Sequence, residues 1–293
     1  MTAPPDRGTA SELGRFLEIQ NLGLNLSFAL AFLVLAARGL PNLWTFALVV
    51  VAFVAARNAG HSFNRWADRE QDRLNPRTQG RALVTGRFSP GFSLALTAGN
   101  AAVLIVAAGL LNPLALALAP VALALILGYS YTKRLGWGTT VYLGLVESIT
   151  PAAAFVAVRG ALPWEASAAV VAMLLWGTAF ETVHSLGDLA SDARLGLASL
   201  PVRLGVRSSV RAVAVLHAAS LGAFAVFGGL ERLSLPYFLA LGAIGTLAAN
   251  ADRRLFRDAS NVRTPFRTHM LLGAIFLAGV AVSVFLPGLL PLP

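Results

Sequence analysis

Long apolar segments alternate with short polar breaks along almost the whole chain. We predict nine spans, at about 17–37, 42–63, 90–111, 113–132, 139–158, 164–186, 209–229, 235–250 and 268–287. Each is near the roughly 20 residues that a membrane-crossing helix needs. The breaks contain proline and glycine, as at Asn112-Pro113. The pattern predicts an all-α fold, a polytopic membrane helix bundle that forms one domain over residues 1–293, with a polar tail at 1–15.

The composition supports a membrane protein. The chain is 56% hydrophobic and 13% charged, with a mean hydropathy of +0.69, whereas soluble domains carry about 25% charged residues. In a soluble chain the net charge of +9 would suggest nucleic acid. Here the basic residues cluster at the ends of spans, which favours anionic lipid headgroups and phosphate-bearing substrates, and we expect no nucleic-acid partner. Since cysteine is absent from the sequence, disulfides and thiolate zinc sites are excluded.

The distribution of basic residues predicts the topology. With a cytoplasmic N-terminus, all but three of the 23 lysines and arginines fall on the cytoplasmic side, in loops, tails or the cytoplasmic ends of spans; the exceptions are Arg38, Arg159 and Arg232. This bias is the usual positive-inside arrangement. We therefore expect an integral protein of the cell (plasma or inner) membrane, and nine spans would leave the C-terminus on the opposite side.

An acidic motif follows the second span. Asn64, Asp68 and Asp72 recur at intervals of four, and a helix turning about 100° per residue brings them to nearly the same face. Arg57, seven residues before Asn64, shares that face. Carboxylates one turn apart repel each other unless a cation lies between them, and Asp and Asn oxygens suit a hard divalent ion such as Mg²⁺. The alternative is a solvated charged face.

A related spacing returns at the end of the sixth span. One helical face there carries Glu181, His184, Asp188 and Asp192. Both acidic motifs fall on the predicted cytoplasmic side, so they can converge. Each is followed by arginines, namely Arg77 and Arg81 in the first half and Arg203 and Arg207 in the second. Two carboxylate pairs with arginines are suited to a diphosphate held through divalent metal.

Other polar residues leave alternatives open. Tyr129 and Lys133 lie four apart at the cytoplasmic end of the fourth span, and Lys133, the only lysine, could be a membrane anchor or a phosphate ligand. Glu147 lies inside the fifth span, where an ionisable group suggests function, although Pro151 nearby frees carbonyls that could bind it. His184 could contact the acceptor, or orient a neighbouring ligand through a hydrogen bond.

Three segments together resemble the UbiA superfamily of intramembrane prenyltransferases. They are N-R-x-x-D-R-x-x-D-x-x-N-P-R-T-x-x-R-x-L-x-x-G from Asn64, YSYTKR from Tyr129, and D-x-x-x-D with G-L-x-S-L-P-x-R-L-G from Asp188. The likeness extends over all nine spans and is nearest to the 4-hydroxybenzoate polyprenyltransferase-like branch, which includes menaquinone-pathway enzymes. The chain departs from the family pattern at His184 and Gly187, and the first span lacks a histidine that many relatives carry. These departures concern the identity of the acceptor.

The resemblance implies nine transmembrane helices around a central cavity. It implies metal binding by Asn64, Asp68, Asp72, Asp188 and Asp192, and the four aspartates are also expected to be catalytic. It implies substrate binding by Arg57, Tyr129 and Lys133, with Lys133 also catalytic. Asn64, Glu181 and Arg81 complete the expected substrate-binding set.

We therefore expect Mg²⁺-dependent transfer of a polyprenyl group from an isoprenoid diphosphate to an aromatic acid resembling 4-hydroxybenzoate, in ubiquinone or menaquinone biosynthesis. Charge stabilisation would release pyrophosphate, and an apolar cavity would keep water from the allyl cation. The alternatives are another acceptor (another aromatic compound, haem or a glycerol phosphate), a non-catalytic lipid-diphosphate carrier, or a transporter. A transporter would need carboxylates at the membrane midplane.

Overall fold

The computed structural model describes residues 9–19, 22–132, 138–197, 199–259 and 262–288, and its regular structure in these ranges is helical, without a strand. The helices are α1 (Thr9–Phe16), α2 (Leu22–Ala37), α3 (Leu43–Ala67), α4 (Arg69–Leu74), α5 (Pro90–Leu111), α6 (Pro113–Thr132), α7 (Gly138–Glu147), α8 (Ile149–Arg159), α9 (Ala166–Arg194), α10 (Leu200–Leu204), α11 (Val206–Leu230), α12 (Leu235–Arg257) and α13 (Arg263–Phe285). The prediction of an all-α protein is confirmed for the described residues.

Every predicted span overlaps a helix of the structure. Within the described ranges, six helical segments are long and apolar enough to cross a membrane: α3, α5, α6, α7 with α8, α9 and α11. The apolar parts of α2 and α13 are shorter, at Leu26–Ala37 and Leu271–Phe285. Since α12 carries charged residues in its last turns, it is more polar. The integral membrane character follows from the six segments, whereas the count of nine crossings stays a prediction.

The long helices pack as a ring. Successive neighbours are α3, α5, α6, α7, α9, α11, α12, α13 and α2, and α2 returns to α3. Helix α8 contacts members on both sides of the ring, including α2, α6 and α9. This closed order brings α3 and α9, which carry the two acidic motifs, to opposite walls of one interior.

Large aromatic rings fill one half of this interior. Phe28 and Phe32 of α2 meet Phe276 of α13 with ring centroids 5.3 and 5.6 Å apart, and Phe224 of α11 lies 5.0 Å from Phe276. Each buried ring removes about 150–250 Å² from solvent, so this half is solid. The other half, between α3, α5, α6 and α8, is lined largely by alanine, valine and leucine. Smaller side chains there leave room for a cavity.

Two glycines set the contact between α7 and α9. A Cβ atom on Gly144 would lie 2.3 Å from the Leu174 carbonyl oxygen and from Thr178 Oγ1. A Cβ atom on Gly177 would lie 2.9 Å from both the Gly144 Cα and the Glu147 Cβ. Atoms at such separations overlap, so only glycine permits this approach. The contact holds the end of α7, including Glu147, directly against α9.

Candidate active site

A cavity of about 740 Å³ lies between α3, α5, α6, α7, α8 and α9. Much of its wall is apolar, with residues such as Ala56, Leu104 and Ile126. Its polar wall comprises Glu18, Arg57, His61, Asn64, Arg65, Gln71, Asp72, Asn75, Arg77, Thr78, Arg81, Tyr129, Thr139, Glu147, Thr150, Glu181, His184, Ser185, Asp188, Ser191, Asp192 and Ser199. Both acidic motifs therefore border one apolar space.

The first acidic motif crosses a break between two helices, and the prediction of one continuous helix was wrong here. Helix α3 ends at Ala67, Asp68 has φ −90° and ψ 0°, and α4 begins at Arg69. Aspartate competes with the helical backbone for hydrogen bonds, so it is a favourable residue for a break. The residues of the motif still follow one another at one helical turn. The Asp68 amide donates to the Asn64 carbonyl at 2.9 Å, and the Asp72 amide donates to the Asp68 carbonyl at 2.8 Å.

Asn64 connects the first motif to α6. Its Nδ2 donates to Asp68 Oδ2 at 3.0 Å and to Ser130 Oγ at 3.4 Å. Asp68 is 2% exposed and is not part of the cavity wall. The structure therefore brings Asn64 and Asp72 to the cavity, with Asp68 buried behind Asn64.

The second motif lies on one uninterrupted helix, as predicted. Helix α9 continues to Arg194, and Glu181, His184, Asp188 and Asp192 all line the cavity from it. Glu181 is buried, and its Oε1 accepts a hydrogen bond from the Tyr129 hydroxyl at 3.0 Å. This bond joins α9 to α6 across the cavity.

Two arginines pair with carboxylates of the acidic motifs, and one of them connects the two motifs. Arg77 Nε and Nη2 donate to Asp188 Oδ1 and Oδ2 at 2.9 and 2.7 Å. Arg81 Nη1 donates to both oxygens of Asp72, at 2.6 and 2.7 Å. Charge-assisted pairs of this kind are among the stronger hydrogen bonds. Since Arg77 follows the first motif and Asp188 belongs to the second, the two motifs converge.

The loop that carries these arginines is ordered by its own side chains. Asn75 Oδ1 accepts a hydrogen bond from the Arg77 amide at 2.9 Å, and the buried Thr78 donates to the Asp72 carbonyl at 3.1 Å. The corresponding arginines of the second half behave differently. Arg203 and Arg207 are exposed and are not part of the cavity wall. Their expected part in oxygen binding is not supported.

Arg57 lines the cavity and also holds the N-terminal segment. Its Nη1 and Nη2 donate to the carbonyls of Leu17 and Glu18 at 2.6 and 2.9 Å, while Arg65 pairs with the Glu18 carboxylate. The residues after α1 thus form part of the wall. His61, for which no role was predicted, also lines the cavity between Arg57 and Asn64. The spacing could have revealed it, since His61 is four residues after Arg57 and three before Asn64.

The donor set suits a hard cation, although no preformed cluster is present in the part of the chain that the structure describes. There, no three acidic or histidine side chains converge as a metal-binding group. The cavity wall nevertheless offers oxygen atoms from Asn64, Asp72, Asp188 and Asp192, which is the chemistry that Mg²⁺ prefers. Lys133 lies outside the described residues. The metal-binding and catalytic roles stay predictions.

Fold and site together define a helical membrane protein whose cavity is apolar on one side and lined by acidic residues and arginines on the other. The particular family follows from comparison with known proteins. The model of the UbiA prenyltransferase family matches residues 25–278, and the chain belongs to this family. The protein is a prenyltransferase, as the sequence motifs predicted.

Curated relatives agree with this assignment. The chain is 33% identical to the 4-hydroxybenzoate octaprenyltransferase of Aeromonas hydrophila over 251 residues, which cover 85% of this chain and 87% of the relative. It is 32% identical to the enzyme of the same name from Nitrosospira multiformis over 250 residues, covering 85% and 86%.

Solved structures share the fold. A UbiA homologue from Aeropyrum pernix K1 superimposes with a TM-score of 0.82 at 29% identity, covering 90% of this chain and 98% of that one. A UbiA homologue from Archaeoglobus fulgidus bound to DMAPP and Mg²⁺ gives a TM-score of 0.70 at 18% identity, covering 93% and 98%.

Proposed function

We propose that this protein transfers a polyprenyl group from an isoprenoid diphosphate to an aromatic acid of the 4-hydroxybenzoate type, with Mg²⁺, as a step of ubiquinone or menaquinone biosynthesis. One observation carries the proposal: two acidic motifs from α3–α4 and α9 meet at an apolar cavity inside a helix bundle. This arrangement accommodates a charged head and a hydrocarbon tail together. The names of the curated relatives support the choice of acceptor.

The acidic end of the cavity would bind the diphosphate. Asn64, Asp72, Asp188 and Asp192 would hold Mg²⁺, and the homologue from Archaeoglobus fulgidus with bound DMAPP and Mg²⁺ supports this choice of cofactor. Bound Mg²⁺ would neutralise charge on the departing pyrophosphate. We assign Asp68 a supporting part, because it fixes the Asn64 amide.

The arginines at this end are suited to phosphate oxygens. A guanidinium group presents a planar fork of donors that matches a phosphate as well as a carboxylate. Arg81 is about one quarter exposed and Arg77 about half exposed, so a diphosphate can reach both. We propose that they donate to the diphosphate, together with Lys133, and that Tyr129 and Glu181 form the wall beside it.

The apolar part of the cavity would receive the prenyl chain. Its alanine, valine and leucine wall lies between α3, α5, α6 and α8, and a dry environment protects an allyl cation from water. Arg57 supplies a positive charge farther along α3, where the carboxylate of an aromatic acid can pair with it. The same cavity would thus hold donor and acceptor together.

We also propose that residues 1–293 act as one domain in the plasma or inner membrane. The N-terminus and the acidic end of the cavity would be cytoplasmic and the C-terminus would be on the other side. Exposed arginines in segments that follow the second, sixth and eighth predicted spans support this orientation; they are Arg77, Arg203, Arg207, Arg253, Arg254 and Arg257. Large exposed apolar side chains, such as Val106 and Val215, support contact with lipid.

Turnover by purified protein in lipid vesicles tests the proposal. The assay supplies radiolabelled geranylgeranyl diphosphate, Mg²⁺ and a panel of aromatic acids that includes 4-hydroxybenzoate and naphthoates. We expect prenylated product that requires both Mg²⁺ and one of the acids. Tight diphosphate binding without product from any acid would refute the aromatic acceptor, and failure with haem and glycerol phosphate as well would favour a carrier.

A further inference from the structure

We propose that Glu147 accepts the ring proton that leaves the aromatic acceptor during prenyl transfer. Glu147 is the last residue of α7, at the break before α8 begins at Ile149. The inference rests on the proposed function, because it requires an aromatic acceptor. It adds a catalytic residue on the wall of the cavity, away from the acidic motifs.

Glu147 is held at the cavity wall by the packing of α7 on α9. A Cβ atom on Gly177 would lie 2.9 Å from Glu147 Cβ and 3.0 Å from its Cγ, so the stem of the glutamate lies flat on the α9 backbone. The side chain is half-buried and lines the cavity. An ionisable side chain in a membrane span is costly and usually has a function. The glycine contact fixes where this one can act.

Other carboxylates of the described wall have different partners. Asp72 and Asp188 bind Arg81 and Arg77, Glu18 pairs with Arg65, and Glu181 accepts the hydrogen bond of the Tyr129 hydroxyl. Their partners are cations or donors that hold the carboxylate in its charged form. These direct ion pairs and hydrogen bonds give the four carboxylates structural parts in the cavity wall.

Glu147 lies near one cation and beside a largely apolar part of the cavity wall. Arg57 of α3 acts on it electrostatically. The other titratable groups that line the cavity from α3, α6 and α9, which pack on α7 or α8, are His61, Arg65, Tyr129, Glu181, His184, Asp188 and Asp192. In general, a nearby cation stabilises the charged form of a carboxyl group, and apolar surroundings stabilise its neutral form. This combination suits a proton acceptor.

The rise of the helices gives the distance of Glu147 and Arg57 from the acidic motifs along the helix axes. Gly177, which touches it, precedes Glu181 by four residues of α9 and Asp188 by eleven, or about 6 and 16 Å at 1.5 Å per residue. Arg57 precedes Asn64 by seven residues of α3, or about 10 Å. An aromatic acid with its carboxylate at Arg57 and its ring towards the diphosphate would lie alongside Glu147.

The proposed reaction begins at the diphosphate. The bond between the allylic carbon and the diphosphate oxygen breaks, and its electron pair leaves with pyrophosphate. The ring carbon beside the acceptor's hydroxyl forms the new carbon–carbon bond. The hydrogen on that carbon then passes as a proton to the Glu147 carboxylate, and its bonding pair restores the aromatic ring. Water that enters as product leaves takes the proton from Glu147.

Glu147→Gln tests the proposal with the intact protein in lipid vesicles, because glutamine keeps the size but cannot accept the proton. We expect kcat to fall about 100-fold or more, the usual lower range for loss of a general base. The Kd of a non-hydrolysable geranylgeranyl diphosphate analogue should stay within about 3-fold of the wild-type value, which is well below a tenfold change in affinity. Glu147→Asp should restore part of the rate. Glu165→Gln, beside the start of α9 and outside the cavity wall, is the matched control and should keep the wild-type kcat.

A deuterated acceptor separates proton removal from a structural role. With deuterium on the attacked ring carbon, the Glu147→Gln variant should show a primary isotope effect that exceeds that of wild type, because proton loss has become slow. An unchanged kcat would overturn the proposal, as would a reduced kcat without this isotope effect. If His61→Gln, and not Glu147→Gln, showed the reduced kcat and the larger isotope effect, His61 would be the proton acceptor instead. Wild-type turnover in the same assay tests the proposed function separately.

Discussion

Asp188→Asn should separate catalysis from folding at the acidic end of the cavity. Asp188 accepts two hydrogen bonds from Arg77, but Arg77 is 53% exposed and Asp188 is 24% exposed. Pairs this open to solvent contribute about 0–1 kcal/mol to stability. Asparagine also keeps one oxygen as an acceptor. The variant should therefore fold and melt within a few degrees of wild type.

The effect on turnover should be far larger. Removing one group that stabilises charge in a transition state costs about 10²–10³ in kcat, or roughly 3–4 kcal/mol. Asp188 is proposed to hold the metal, so its loss should lower kcat by at least the smaller factor. Arg77→Ala is the matched control for stability, because it removes the same ion pair and leaves the carboxylate in place.

Two measurements on the same preparations decide the outcome. Melting in detergent, followed by tryptophan fluorescence, should give similar temperatures for Asp188→Asn, Arg77→Ala and wild type. Prenyl transfer in vesicles should be nearly abolished in Asp188→Asn. Turnover by that variant above about one tenth of wild type would refute the assignment of Asp188, since it corresponds to less than 1.4 kcal/mol of barrier.

Three further predictions address metal, packing and the opposite end of the bundle. EDTA should abolish prenyl transfer and Mg²⁺ should restore it; activity that survives EDTA would contradict the metal requirement. Gly177→Ala should lower the free energy of unfolding by about 1–3 kcal/mol and also lower kcat, because the added Cβ would displace Glu147. Gly222→Ala is the control, since the space around Gly222 is open. Equal melting temperatures of Gly177→Ala and wild type would argue against the close contact. Glu231→Gln should destabilise the protein by about 1–2 kcal/mol, since the buried Glu231 accepts a hydrogen bond from Arg38 at 3.0 Å. Turnover at permissive temperature should be unaffected, and an unchanged melting curve would show that the pair contributes nothing.

Much of the fold was predictable because its signals are local. Runs of about 20 apolar residues identify helices that lie in lipid, and the structure has a helix at each of the nine predicted positions within the described ranges. The spacing of three or four positions on α9 correctly predicted that its motif residues lie on one helix and share a face, and all of them line the cavity. The same spacing gave no sign that the helix is interrupted at Asp68 in the first motif, because the interruption leaves the four-residue spacing intact.

The sequence by itself determined the class of protein, the helical spans and the acidic motifs, since each depends on residues within a few turns of one another. Only the tertiary structure decided how they meet. Arg77 and Asp188 are 111 residues apart, and their pairing depends on the ring order that puts α3 opposite α9. The glycine contact that turns Glu147 into part of the cavity wall also depends on two distant helices. Side chains that share a helical face can be read from spacing, but the surface that this face meets is fixed by packing.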